Sequence, residues 1–419
     1  MNVSSTSSDE ASTGDRLYRR LHWVGPITIV VFGLLIYAHT FTGAFHLDDY
    51  GAIVGNTAIR NLSEPAEILR YGRGRSLTIF TFALNYAVHG DRVFGYHVVN
   101  IGIHLANALL LSWLTLLLCR APLLRNRPEA SEARWIALLA GLLFVAHPLQ
   151  TQAVTYIVQR LESLAAGFYL LCVALYLTAR LQKLAGKSWS GWYAASLVVA
   201  VLGGFAKETM VSIAGAILLV EIGLFTPGRG EWRQTIGRQL PWIAPYLLVG
   251  AMVPVARWLA SASPGSAAEA LAHVFGSSRL HSRWEYLVTQ IRVVAAYLRL
   301  TLLPTWQIFD PSVRASGTLW EGPALGSLAL LGLLAAAAVR WLRRWPLQAV
   351  GVLWAFVTIL PTSSIVVIFD LMFEHRMYLP LAGGSVALAA ALLGARRLAP
   401  RRGAPSTIAV ACTIAVVLL

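Results

Sequence analysis

Apolar and polar positions follow one another along this chain in long blocks, far longer than a helix turn or the alternation of a strand. Eleven apolar blocks fall at 24–42, 94–118, 134–148, 160–181, 191–206, 209–225, 240–260, 323–342, 346–361, 376–394 and 405–419. A bilayer crossing takes about 20 apolar residues, with a range of roughly 17 to 25. The pattern therefore predicts an all-α polytopic membrane protein, a bundle of about eleven transmembrane helices. One further apolar segment, 287–303 (LVTQIRVVAAYLRLTLL), carries Gln290, Arg292 and Arg299. It reads as an amphipathic or re-entrant helix at the membrane surface.

Composition agrees with the blocks. The chain is 57% hydrophobic and 13% charged, with a mean hydropathy of +0.62. Soluble domains average about 25% charged residues. The net charge of +14 would suit nucleic acid, but a membrane protein gathers Lys and Arg in its cytoplasmic loops for topological reasons. No nucleic-acid partner is expected. The three cysteines, Cys119, Cys172 and Cys412, lie in or beside apolar blocks without metal-ligand spacing. Residues 1–23 read as a polar cytoplasmic tail, and 24–42 as a retained first helix, since no cleavage pattern follows it.

The basic residues set an orientation. Six stretches between the apolar blocks hold 20 of the 34 Lys and Arg: Arg16 to Arg20, Arg120 to Arg134, Arg180 to Lys187, Arg229 to Arg238, Arg340 to Arg344, and Arg396 to Arg402. Excess positive charge marks cytoplasmic loops. Eleven spans with 287–303 on the surface put all six stretches and the N-terminus inside. A first loop, 43–93, and a second large loop, 261–322, then face the extracytoplasmic side of a single membrane domain over 24–419.

That side collects the ionisable groups that need a reason. Asp48 and Asp49 stand together in FHLDDYGAIVGN. A carboxylate there can take a proton from an attacking hydroxyl, pair with its neighbour on a divalent cation, or simply cap a helix. In AHPLQTQAVTYIVQRLES, His147 and Pro148 end one block, and Gln159, Arg160 and Glu162 open the next. Arg160 and Glu162 are two apart, so on a helix they find separate partners. Lys207 and Glu208 interrupt two blocks at GGFAKETMV. Lys207 is either a point charge for phosphate or part of a capping pair. Glu374, His375 and Arg376 head the block at 376–394, where Arg376 offers a planar fork to phosphate or anchors at the interface. Arg75 lies in RYGRGRSLT of the first loop. Asn100 and His104 share one helix face and read as packing groups. Jointly, one face supplies carboxylates and spaced cations, the equipment for activating an acceptor while holding an anionic leaving group.

These motifs, in this order, resemble the GT-C integral-membrane glycosyltransferases, most of all the transmembrane and tetratricopeptide-repeat O-mannosyltransferases and their bacterial relatives. The matching pieces are FHLDDYGAIVGN, RSLTIFTFALNYAVHGDRVFGYHVVNIGIHLANALLL, AHPLQTQAVTYIVQRLES, FAKETMV, YLRLTLLPTWQIFDP and LPTSSIVVIFDLMFEHRMYLP. The resemblance implies an active site at the first extracytoplasmic loop, a polyprenyl-phosphate monosaccharide donor and an inverting transfer. By position it implies Asp48 or Asp49 as catalytic base. Arg160, Lys207 and Arg376 fall to the donor phosphate. His147, Gln159, Glu162, Glu208, Glu374, His375 and Arg75 orient these groups or bind substrate. It implies no required cofactor, with a divalent cation at Asp48 and Asp49 as an option. A glycan, lipid or protein hydroxyl is the acceptor, and the setting is a bacterial inner membrane. No 34-residue repeat is legible, which leaves the acceptor open.

The function expected is transfer of a mannose-like hexose. Two other classes compete with it. A transporter or flippase of lipid-linked saccharides calls for polar groups near the bilayer midplane and inverted repeats, which the blocks do not show. A non-catalytic membrane assembly subunit is the other.

Overall fold

The computed structural model describes residues 23–72, 74–226, 232–261, 282–364, 367 and 370–398. These residues form helices joined by turns, and no strand occurs among them. Six helical stretches among them are long and apolar enough to cross a bilayer: Val24–Thr42, Val93–Cys119, Ile157–Leu184, Glu208–Phe225, Pro323–Trp341 and Glu374–Arg397. Ala133–Ala146 with Pro148–Thr155 makes a seventh if this pair, bent by 58°, is one span. Shorter apolar helices, Ser190–Gly204 and Pro346–Ile359, occupy the predicted blocks at 191–206 and 346–361. The block at 240–260 lies inside the helix Trp232–Ser261. The tail before residue 23 and the block at 405–419 lie outside the described residues. So does the segment 262–281 of the second large loop.

We label the helices α1 (Val24–Tyr37), α2 (Pro65–Gly72), α3 (Ser76–His89), α4 (Val93–Cys119), α5 (Ala133–Ala146), α6 (Arg160–Leu184), α7 (Ser190–Gly204), α8 (Ile213–Val220), α9 (Trp232–Ser261), α10 (Arg283–Leu302), α11 (Pro323–Trp341), α12 (Pro346–Ile359) and α13 (Tyr378–Leu398). The core is made by α4, α5, α6 and α13, whose Leu105, Phe144, Tyr169 and Tyr378 meet in one cluster. Outside it, α1 lies on α5, α7 on α6, and α12 on α13. The α12–α13 contact is backbone to backbone. A Cβ on Gly351 would collide with the Gly383 carbonyl, and one on Gly383 with that of Gly351. Small residues let helices approach this closely in an environment where packing, rather than burial from water, drives association.

Between α5 and α6 the chain is broken. Pro148 cannot donate a backbone hydrogen bond and pushes the residue before it out of the helical region. His147 is accordingly extended, with φ −68° and ψ 127°. A short 3-10 turn, a five-residue helix and a second 3-10 turn follow before α6 starts at Arg160. A break at membrane depth leaves carbonyls that need donors. One face of α4 supplies them. Asn100 donates to Val154 O at 3.3 Å and Ile157 O at 3.2 Å, and Asn107 to Ser163 O at 2.7 Å. His104 contacts Val145 O at 3.3 Å and the Tyr378 hydroxyl at 2.7 Å. The Asn100 and His104 pair is therefore structural packing.

The two ends of the bundle differ in charge. At one end the basic stretches meet. Arg127 donates to the carbonyls of Arg343 and Arg344, and Arg343 to that of Thr226. Arg397 pairs with Glu132, and Arg180 with Glu221. At the other end lie the first loop and the 374–377 turn. The surface segment 287–303 falls in α10, a continuous helix opened by a capping box between Ser282 and Glu285. Its tethers are Tyr286 to Thr362 O, Gln290 to Leu371 O, Tyr297 to Phe373 O, and Thr301 O to His147. All four partners sit at that second end, so α10 runs along it instead of through the bundle.

Candidate active site

The first loop folds around Asp49. A tight turn brings Asp49 N to His46 O at 2.8 Å and forces Leu47 to φ 41°. A non-glycine residue there is strained, and such strain concentrates at functional sites. The turn splits the acidic pair. Asp49 is wholly buried. Its Oδ1 accepts from Val158 N at 2.7 Å and its Oδ2 from His46 N at 3.0 Å. Burial wins over these two bonds and pushes its carboxyl up to about 6. Asp49 thus pins the loop to the broken segment before α6. Asp48 is exposed. Tyr156 holds it on two sides: Asp48 N donates to the Tyr156 hydroxyl at 2.9 Å, and the same hydroxyl also engages the Asp48 carboxylate. Tyr156 in turn packs edge-on against Phe309, with ring centres 5.2 Å apart.

Three cations, Arg75, Lys207 and Arg376, come together from three parts of the chain. Lys207 forms a buried ion pair with Glu162. Beside it, Arg75 grips Glu208 with two bonds, 2.6 and 3.1 Å. The Glu208 charge holds Arg75 above its ordinary value, with a further contribution from Glu162. Arg376 is buried and donates to the carbonyls of Asp370 and Leu371. His375 lies among these cations, and the charges of Lys207, Arg376 and Arg75 all act on it. Its backbone N and Nδ1 both meet Gln152 Oε1, at 2.8 and 3.1 Å. The carboxyl of Asp370 ties the two halves of the site together. Burial raises it, Arg376 lowers it, and Asp48 and Asp310 raise it again. Asp48 and Arg376 therefore belong to one electrostatic basin around Asp370.

Other expected site residues stand elsewhere. Arg160 is fully buried and does not reach the basin. It donates to Asn100 Oδ1 and Asn85 Oδ1, both at 2.7 Å, and to Tyr96 O at 3.2 Å. The ring of Phe82 lies 4.5 Å from its guanidinium carbon. Arg160 bolts the first-loop helices to α4. His147 also works structurally: Nδ1 accepts from Leu149 N at 3.2 Å while Nε2 faces Thr301 O at 3.0 Å. Glu374 accepts from Gln307 at 2.7 Å. Gln159 is buried at the start of α6. Among the described residues, no three His, Cys, Asp or Glu side chains converge as a metal site. Each oxygen of Asp49 accepts one backbone amide.

Gln152, Tyr156, Gln307 and Asp370 were not among the expected site residues. The Pro148 break offered the only hint, because side chains after it leave the helical register. Nothing local marks Tyr156 as the support of Asp48, which lies 108 positions away.

Known proteins resemble the chain at this level. Protein O-mannosyl-transferase Tmtc2 of Drosophila melanogaster is 28% identical over 293 residues, covering 66% of this chain and 29% of the relative. The human Protein O-mannosyl-transferase TMTC1 is 28% identical over 246 residues, 52% of this chain and 26% of the relative. Tmtc3 of Drosophila melanogaster, also a Protein O-mannosyl-transferase, is 32% identical over 169 residues, 35% of this chain and 17% of the relative. The chain thus spans less than a third of the length of these relatives. No protein-family profile and no solved structure matches it.

Proposed function

We propose that this chain is a membrane glycosyltransferase that moves a mannose-like hexose from a polyprenyl-phosphate donor to a hydroxyl acceptor, with inversion. The single observation that carries the reading is the split acidic pair: Asp48 is exposed, on a turn fixed by its buried neighbour, and it acts with Arg376 on the same carboxyl, Asp370. In this reading the acceptor hydroxyl attacks the anomeric carbon and Asp48 removes its proton. The bond from that carbon to the phosphate oxygen breaks, and the electron pair leaves with the lipid phosphate. One displacement inverts the centre. Lys207, Arg75 and Arg376 stabilise the departing anion, with Glu162 and Glu208 holding the first two in place. Arg160 is left out of that role because its guanidinium is engaged by Asn100, Asn85 and Tyr96. The relatives named Protein O-mannosyl-transferase support the sugar.

The basic end of the bundle is the cytoplasmic one by the distribution of positive charge. Asp48 then lies on the far side, that of a bacterial inner membrane facing away from the cytoplasm. A lipid phosphate is a competent leaving group by itself, so no cofactor is required.

The test is purified protein in lipid nanodiscs with a panel of polyprenyl-phosphate monosaccharides, following release of polyprenyl phosphate. Turnover of the mannose donor is expected. Asp48→Asn is expected to lower it by about 10²- to 10⁴-fold at an unchanged melting temperature. Full turnover by Asp48→Asn would remove the base assignment, and no turnover of any donor would remove the reaction.

A further inference from the structure

A cavity of about 1120 Å³ opens at the basic end of the bundle. It lies where the last turns of α4 and α6 meet the start of α5. Its wall combines two chemistries. Arg120, Arg125 and Arg134 are cationic and exposed, while Leu116, Leu181 and Leu184 are apolar. The volume exceeds the roughly 300–1,000 Å³ of pockets that enclose drug-sized ligands. One carboxylate is close by: Glu129 acts on the lining residue Cys119, and its Oε2 is buried without a hydrogen-bond partner. The nearby Glu132 is occupied by Arg397. Three guanidinium groups line the wall, and Glu129 is the carboxylate that acts on it.

We propose that this cavity binds an anionic phospholipid. Its phosphate sits among Arg120, Arg125 and Arg134, and its chains run down the leucines. Free phosphate would use only half of such a wall. The helices that form it are bilayer-spanning elements, so the apolar half faces the depth of acyl chains. Basic pockets between spans bind anionic headgroups in this way. The inference rests on no part of the catalytic reading, and its failure leaves that reading intact.

The full chain in detergent would be titrated with phosphatidylglycerol, phosphatidylcholine or inorganic phosphate, and bound adducts counted by native mass spectrometry. Phosphatidylglycerol is expected to bind in preference to phosphatidylcholine, and millimolar phosphate to leave it in place. Each of Arg120→Gln, Arg125→Gln and Arg134→Gln should weaken binding about fivefold, and the triple variant on the order of 100-fold. Melting temperatures of the single variants confirm that they are folded. Lys187→Gln with Arg340→Gln, basic positions outside the cavity, should bind as the parent does. Equal binding of phosphatidylcholine, displacement by phosphate, or full binding by the triple variant would each overturn the proposal. So would loss on the control substitutions, or failure of the unaltered chain to hold any lipid.

Discussion

Adjacent carboxylates with identical chemistry have been given opposite settings by one strained turn. The burial of Asp49 yields a prediction that its neighbour does not share. Its folded value, about 6, lies above the ordinary 3.8. The stabilising form is thus the protonated one, fully present below that ordinary value and lost as pH rises through 6. Holding the ionised form in place costs about 3 kcal/mol relative to the protonated form. Between pH 7 and pH 5 the wild type is expected to gain in melting temperature on Asp49→Asn, which has no charge to bury. Parallel curves for the two proteins would show that the Asp49 site does not titrate there. Arg160 supports a second residue-scale prediction. Arg160→Met leaves the acceptors of Asn100, Asn85 and Tyr96 without their donor. The expected cost is about 3 kcal/mol of stability, read as a lower melting temperature. A variant as stable as its parent would contradict the bolt role. What the sequence made legible here is instructive. The spacing of Arg160 and Glu162 rightly assigned them different partners. Those partners are 60 and 45 positions away, and no local pattern encodes contacts at that range.

Elements were more readable than residues. Long apolar blocks located most of the helices, because a bilayer crossing demands length and apolarity that chance rarely supplies. Pro148 announced the break after α5. The consequence of that break, a polar face on α4 feeding donors to displaced carbonyls, shows in sequence only as the spacing of Asn100, His104 and Asn107. What the pattern could not say is how many blocks cross: among the described residues six helical stretches are long enough, seven with the bent pair, and the shorter helices α7 and α12 fall below full bilayer length. The α12–α13 contact gives the element-scale prediction. Gly351→Leu would force apart two helices that touch through backbone. It should cost about 1–3 kcal/mol or more from overpacking, seen as a lower melting temperature in detergent. Gly326→Leu, on the same kind of helix but with open space around it, should be close to neutral.

For the whole molecule, the separation of charge between the two ends was visible as basic stretches long before any contact was known. The hydrogen bonds among Arg127, Arg343, Arg344 and Thr226 place those stretches side by side. Orientation follows from that asymmetry and can be checked directly. Leu62→Cys on the first loop should react with a membrane-impermeant maleimide in intact cells, and Lys187→Cys only after permeabilisation. The reverse pattern would invert the topology and put the basin in the cytoplasm. The Gly351–Gly383 contact also bears on traffic within the bilayer. A seam closed backbone to backbone holds no gap for a prenyl tail between its two glycines. For a lipid-borne donor of the proposed kind, every other boundary of the bundle offers an easier lateral way in than the line where α12 meets α13.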